Sequence, residues 1–177
     1  MPPPQWVAAR PADATTVRLR WRAPGTDSVQ VFAGAPGAEL DRVAGQADSL
    51  LLRTTAASER YALRAWTNGT ASPLSETRVV RPHAPATVTE TTVPTASSIR
   101  LVFTEPLAPG TRAEQFALSP IGGASEQVPN VAVLQPSARA VILRFERPVR
   151  SGVLRWRGVR DADGLAVAQT RVDVTSP

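Results

Sequence analysis

Hydrophobic and polar residues alternate in several short runs along this chain. In residues 16–22, Val17, Leu19 and Trp21 alternate with arginines, and this spacing places the three hydrophobic side chains on one face of a β-strand. The same pattern occurs in four further runs, at residues 60–66, 99–103, 141–145 and 154–157. No long window shows a helical period, and the best helical candidate is a single turn at residues 111–116. The pattern therefore predicts an all-β protein.

Proline positions divide the chain near its middle. Residues 81–85 include Pro82 and Pro85, and proline cannot donate the backbone hydrogen bond that a central strand requires. A length of 177 residues is enough for two small domains. We therefore expect two small Greek-key β-sandwiches in tandem, at residues 1–81 and 86–177, joined by a short Pro-rich linker at residues 82–85.

The first half carries an ordered set of aromatic and turn residues. Trp21 lies near the end of the second predicted strand, Tyr61 begins the sixth, and Asn68-Gly69 follows within the stretch 61–76. On these residues, residues 5–80 resemble a fibronectin type III domain. The resemblance implies that Trp21 fills the space between two sheets and that the Tyr61 hydroxyl bonds to backbone at the sheet corner. One departure is the sequence Thr54-Thr55-Ala56, where the family has a leucine and often a proline, so residues 50–52 are expected to supply that packing.

The second half has a different set of matching stretches. A strand ends in Phe-Thr-Glu-Pro at residues 103–106, and a Val-x-Asp-x-x-Gly turn at residues 159–164 precedes the last predicted strand. With these motifs, residues 86–175 resemble a bacterial Ig-like domain of the type found in S-layer and other secreted proteins. The resemblance implies a small sandwich without catalytic residues, used as a spacer or adhesive module. We expect Phe103, Phe145 and Trp156 to be structural core residues of this half.

The composition excludes most kinds of catalytic and metal-binding chemistry. The chain has 20 basic residues, all of them arginine, against 15 acidic residues, which gives a net charge of +5. It has no cysteine and a single histidine, so it lacks the ligands of a thiolate or histidine zinc site. We expect no enzyme activity, no catalytic residue and no cofactor. No apolar run approaches the length of a membrane span, and we expect the sequence to be a fragment whose signal peptide lies elsewhere in a larger chain.

One acidic motif allows two interpretations. Asp161-Ala162-Asp163-Gly164 places carboxylates at alternate positions before a glycine, as the start of a calcium loop would. Residues 165–168 supply no further side-chain oxygen. We therefore favour a turn in which aspartate side chains bond to local backbone amides, and Asp161 and Asp163 remain weak metal candidates.

Arginine-bearing strand faces and one tryptophan are the candidate binding features. Arg18, Arg20 and Arg22 line one predicted face, and Arg155 and Arg157 line another. A solvated sheet face is the preferred interpretation, and an anion site for acidic glycans or nucleic acid is the alternative. Arg64 and Trp66 are expected to point outward together, stacked as a cation–π pair, and they form a candidate surface contact for a sugar or a partner chain.

Together these observations predict non-catalytic spacer, adhesion or presentation modules of a bacterial protein that is secreted or displayed at the cell surface. The expected partners are neighbouring domains of a larger polypeptide or other surface proteins, with a glycan as a candidate ligand. Nucleic acid is not the expected partner, because proteins that bind it usually combine clustered basic residues with exposed aromatic rings, whereas here nearby acidic residues dilute the positive charge.

Overall fold

A computed structural model describes residues 1–34, 38–122 and 125–176. These residues form strands, turns and a single 3₁₀ turn at Ala113–Gln115, which confirms the all-β fold class. Among them, no helix has the length and apolar character that crossing a membrane requires. The chain divides into two compact units, Met1–Ala84 (unit 1) and Pro85–Pro177 (unit 2).

Unit 1 consists of two antiparallel sheets. Its strands are β1 Gln5–Pro11, β2 Thr16–Arg22, β3 Ser28–Ala33, β4 Ala38–Ala44, β5 Ser49–Arg53, β6 Glu59–Thr67, β7 Thr70–Ala71 and β8 Arg78–Val80. One sheet has the order β1-β2-β5, and the other has the order β4-β3-β6-β7, with β8 also paired to β6. The core between them contains Val17, Leu19, Trp21, Val29, Val31, Tyr61 and Leu63. Leu50 and Leu52 pack against this core, whereas Leu51 points outward and is exposed.

Unit 2 is also a sandwich of two antiparallel sheets. Its strands are β9 Val88–Thr95, β10 Ser98–Phe103, β11 Phe116–Pro120, β12 Val131–Leu134, β13 Ala140–Arg144, β14 Gly152–Trp156 and β15 Arg171–Val174. The sheets have the orders β12-β13-β10-β9 and β11-β14-β15. One sheet therefore has four strands and the other has three. Phe103, Phe145 and Trp156 are all buried in its core.

The β6–β7 hairpin shows how local sequence directs the fold. Asn68 and Gly69 have φ angles of 49° and 74°, and Thr67 pairs with Thr70 across them. A two-residue loop with both φ angles positive matches the right-handed twist of the strands, and Asn-Gly adopts it at low cost. The predicted Asn-Gly turn is therefore present.

Candidate functional site

The Tyr61 hydroxyl lies at the start of β6, where the sequence resemblance implied a bond to backbone. It donates instead to the carboxylate Oε2 of Glu59, 2.9 Å away, so the implied backbone bond is wrong. Two residues along a strand share a face, which places Glu59 directly within reach of the tyrosine ring. Burial of the phenol and the adjacent Glu59 carboxylate together raise the pKa of Tyr61.

Alkaline pH should therefore destabilise unit 1. The folded state holds Tyr61 neutral, whereas the unfolded chain ionises it near the ordinary pKa of about 10. The contribution of Tyr61 to the free energy of unfolding is therefore complete below pH ~10. Above that pH, the free energy of unfolding falls by up to about 1.4 kcal/mol per pH unit. Because Tyr61 is the only tyrosine, the tyrosinate absorption band reports it alone. The band should appear only as unit 1 unfolds, and a tyrosinate signal in the folded protein near pH 10 would contradict this expectation.

A cluster of aromatic, arginine and amide side chains covers the outer face of the sheet β4-β3-β6. We call it the ladder cluster, and its members are Gln30, Phe32, Glu39, Arg42, Arg64 and Trp66. Strand register explains the assembly, because Gln30 lies opposite Arg42 on one side and Arg64 on the other. Alternation places Val29 and Val31 in the core and Gln30 on the outer face.

Hydrogen bonds and cation–π contacts link the members of the ladder cluster. The Trp66 indole N–H donates to Gln30 Oε1, and Gln30 Nε2 donates to Glu39 Oε2 at 2.9 Å. Arg42 Nε lies 3.6 Å from Glu39 Oε1, and its guanidinium carbon lies 5.2 Å from the centre of the Trp66 ring. Because its neighbours cover it, Gln30 is only 5% exposed although it faces away from the core.

The expected stacking of Arg64 on Trp66 is wrong. The guanidinium carbon of Arg64 lies over Phe32, 5.6 Å from the ring centre, and Arg42 takes the place over Trp66. The physical reason is the register: Trp66 lies opposite the small Ser28, which leaves room for the indole to extend across β3 towards β4. Side chains two residues apart on one strand stand side by side, about 6.7 Å apart, whereas cross-strand neighbours approach each other more closely.

The contacts within the ladder cluster connect three neighbouring strands of the sheet. Each cation–π pair at a half-exposed position contributes on the order of 0.5–1 kcal/mol, and the cluster ties three strands together. The sequence pattern predicted that Trp66 and Arg64 face outward as a candidate surface contact, but it gave no indication of the contacts that Gln30, Glu39 and Arg42 make. Their involvement depends on long-range register, for which the alternation pattern carries no signal.

The opposite sheet, β1-β2-β5, carries a concentration of positive charge on its outer face. We call this surface the arginine face, and it contains Arg10, Arg18, Arg20, Arg22 and Arg53. Arg10 lies directly opposite Arg18, and Arg53 lies opposite Thr16, so both share the face of the β2 arginines. The alternation in residues 16–22 predicts the three β2 arginines, whereas only the pairing of β1 and β5 with β2 places Arg10 and Arg53 beside them.

Few acidic groups neutralise the arginine face. Arg20 Nη2 lies 3.5 Å from Asp48 Oδ2, and both side chains are more than half exposed. No other carboxylate of the described residues forms an ion pair with this face. The face also includes Ser49 and the exposed Leu51, and an open depression is lined by Arg18, Arg20, Asp48 and residues 49–51.

Arg155 and Arg157 are both exposed in unit 2. Arg155 lies on β14, opposite Ala117 on one side and Arg171 on the other, so it belongs to the outer face of the sheet β11-β14-β15. Arg157 follows the end of β14, and its backbone N–H donates to Gln115 O at 2.9 Å. This second set of arginines provides a matched comparison for the arginine face.

The Asp161–Gly164 segment forms a tight turn. Asp161 Oδ1 accepts hydrogen bonds from the backbone N–H groups of Asp163 and Leu165, at 3.0 and 2.9 Å, and Gly164 has a φ of 90°. These are the local bonds that the turn interpretation requires. Within the described ranges, no group of three or more His, Cys, Asp or Glu side chains is placed to hold a metal ion.

Comparison with known proteins finds similarity only among solved structures. No protein-family model matches the sequence, and no curated protein matches it. A two-domain fibronectin type III segment of chicken tenascin is similar over 98% of this chain and 99% of that chain, at 17% identity and a TM-score of 0.40. The FN1–FN3 domains of chicken CNTN1 are similar over 98% of this chain and 67% of that one, at 14% identity and a TM-score of 0.45. The central fibronectin type III array of RIM-binding protein is similar over 99% of this chain and 61% of that one, at 15% identity and a TM-score of 0.39.

Proposed function

We propose that this chain is a non-catalytic pair of modules that spaces, presents or helps to attach other parts of an exported or cell-surface bacterial protein. The observation that carries the proposal is that each unit encloses a hydrophobic core of its own between two sheets. That construction belongs to modules which can be joined in series. In this proposal unit 1 is a fibronectin type III module, unit 2 is a bacterial Ig-like module, and neighbouring domains or other surface proteins are the partners.

Surface display is the part of the proposal that can be tested directly. An antibody raised against this chain should label intact cells of the source organism, and brief protease treatment of those cells should remove the label. An antibody against a cytoplasmic protein is the control and should label only permeabilised cells. Labelling of this chain only after permeabilisation would contradict display at the surface.

Separate folding of the two units is a further expectation. Val80 belongs to the core of unit 1 and Ala86 to the core of unit 2, so the division falls within the few residues between them. Residues 1–84 and 85–177, expressed separately, should each give a β-type circular dichroism spectrum and a cooperative urea transition. If neither fragment folds alone, the two units share stabilising contacts and the chain is a single domain.

A second candidate function is the binding of an acidic glycan by the arginine face. Neighbouring arginines on β2 lie about 6.7 Å apart, and Arg10 and Arg18 lie on adjacent strands about 4.8 Å apart, so one linear polyanion could contact several of them. The described side chains of this face include no aromatic ring, and proteins that bind single-stranded nucleic acid use such rings to stack bases. A sulfated or carboxylated polysaccharide therefore fits this surface better than nucleic acid.

Paired substitutions test whether the arginine face is specific. The variant Arg18→Gln/Arg20→Gln should elute from a heparin column at clearly lower salt than the unsubstituted protein, because two charge-assisted contacts are lost. The matched variant Arg155→Gln/Arg157→Gln removes the same charge from unit 2 and should elute close to the unsubstituted protein. Equal losses in the two variants would indicate a diffuse effect of net charge, and retention on a single-stranded DNA column equal to that on heparin would contradict a preference for glycan.

A further inference from the structure

The four edge strands of unit 2 differ in how they are protected from pairing with another chain. An edge strand presents unpaired backbone N–H and C=O groups, and proteins usually block such edges with charges, proline or a covering segment. In unit 2 the edges of the two sheets are β9 and β12, and β11 and β15. Comparison of these four strands identifies the edge that is open to a partner.

Three of the four edges are blocked. Strand β9 contains Glu90 and Pro94, and strand β15 contains an arginine and an aspartate. The free side of β11 is covered by Gln127, which exchanges two backbone hydrogen bonds of 2.8 Å with Leu118. Each of these features opposes the addition of another strand.

Strand β12 is open. Its sequence, Val131-Ala132-Val133-Leu134, has neither a charge nor a proline, and no described strand pairs with its outer side. Val131 and Val133 are 39% and 43% exposed on the outer face of the sheet, and Val133 lies opposite the partly buried Ile142 of β13. The open edge is therefore also apolar on its outer face.

We propose that two copies of this chain associate by antiparallel pairing of their β12 strands about a two-fold axis. With the axis at Ala132, each Val131 lies opposite Val133 of the other copy, and the four valines form one apolar strip. In each copy Ile142 lies opposite Val133 on β13 and extends this strip. A two-fold contact requires a surface that is complementary to itself. An uncharged strand meets this requirement, whereas a strand bearing arginine would place like charges together.

The surroundings of β12 support a second copy as the occupant. Arg144 is an exposed charge on the outer face and lies opposite Val131 on β13. In the paired sheet the two β13 strands are three strand spacings apart, about 14 Å, which exceeds the Debye length of about 8 Å at physiological salt. Repulsion between the two copies of Arg144 is therefore screened.

The length of the strand limits the assembly to a weak dimer. Pro129 and Pro136 flank β12, so the pairing covers about one strand length in a single register and closes after two copies. A contact of this size is smaller than a standard stable interface. We expect association that increases with protein concentration, with no extension into fibres.

Sedimentation equilibrium of the full chain tests the proposal. The unsubstituted protein should shift from monomer to dimer as its concentration rises to the millimolar range, and Val133→Lys should weaken this association about tenfold or more, because each lysine would be held against apolar side chains. Val79→Lys is the matched control, since Val79 is an exposed strand valine of unit 1, and it should leave the association unchanged. A protein that stays monomeric throughout, or a Val133→Lys variant that dimerises as before, would overturn the proposal.

Cross-linking gives a second measurement that does not depend on destabilising the contact. The chain has no cysteine, so a Val131→Cys/Val133→Cys variant introduces thiols only at β12. Residues directly opposite each other in antiparallel strands lie about 4.5–5.5 Å apart at Cα, which suits a disulfide. Mild oxidation should give a covalent dimer that reduction returns to monomer. A Leu51→Cys/Val79→Cys variant places the same number of thiols on two exposed strands of unit 1 and should give much less dimer. Equal yields from the two variants would contradict pairing at β12.

Discussion

Replacement of Trp156 by alanine should lower the free energy of unfolding of unit 2 by about 3–5 kcal/mol. The indole is only 3% exposed and contacts two rings: Phe103, edge-on at 6.2 Å between ring centres, and Phe116 at 6.3 Å. A domain of this size has a total stability of roughly 5–15 kcal/mol, so the substitution removes a large share of it. Urea unfolding followed by circular dichroism measures the loss.

Unit 1 offers the same experiment with a control in the same sandwich. Trp21 is 1% exposed in the core, whereas Trp66 lies half-buried on the outer face in the ladder cluster. Trp21→Ala should therefore cost about 3–5 kcal/mol. Trp66→Ala should cost clearly less, because it loses only partial burial, one cation–π contact and the hydrogen bond to Gln30. Equal losses for the two variants, or a loss below about 1 kcal/mol for Trp21→Ala, would mean that the strand faces are reversed.

Phenylalanine at the same positions separates ring packing from the indole N–H. The Nε1 atoms of Trp21 and Trp156 are buried and have no hydrogen-bond partner among the described residues. A buried donor left without a partner costs on the order of 1–3 kcal/mol, so its removal offsets part of the volume lost with the larger ring. Trp156→Phe should therefore cost less than half as much as Trp156→Ala.

The core could be predicted because burial along a strand follows a simple local rule. Strict alternation in residues 16–22 placed Val17, Leu19 and Trp21 inward, and all three are buried in the structure. The strands at residues 98–103, 140–144 and 152–156 follow the same alternation, so the aromatic centre of unit 2 was also visible in the sequence. Alternation with a period of two predicts which side chains of a strand are buried, whichever strands lie beside it.

The surface clusters could not be predicted because they depend on pairing between distant strands. Arg42 lies over Trp66 only because β4 and β6 are both neighbours of β3, and a register shift between Val31 and Phe32 sets the alignment of β4. The bond from Tyr61 to Glu59 was missed for another reason. Both residues lie within one strand, but the family resemblance implied a backbone acceptor for the Tyr61 hydroxyl.

Two glycines show a further constraint that no local pattern reveals. At Gly45, a Cβ atom would lie 1.7 Å from the backbone oxygen of Thr26. At Gly152, a Cβ atom would lie 2.4 Å from the backbone oxygen of Ser119 and 2.8 Å from the Cα of Pro120. Both obstacles are backbone atoms, so no change of side-chain rotamer can relieve them. Only glycine, whose side chain is a single hydrogen atom, fits at these two positions.

Gly152→Ala should therefore destabilise unit 2 by about 3 kcal/mol or more, since β14 would have to move away from β11 along the pair Gly152–Pro120. Gly110→Ala is the matched control in the same unit, because a Cβ there meets no atom within 4 Å and its φ is outside the left-handed region. Alanine at such a position restricts mainly the unfolded chain and should raise stability by about 0.4–1 kcal/mol. The two variants add the same methyl group, so their urea midpoints should move in opposite directions. Parallel shifts would show that the close approach of β11 to Gly152 does not limit the packing of this sheet.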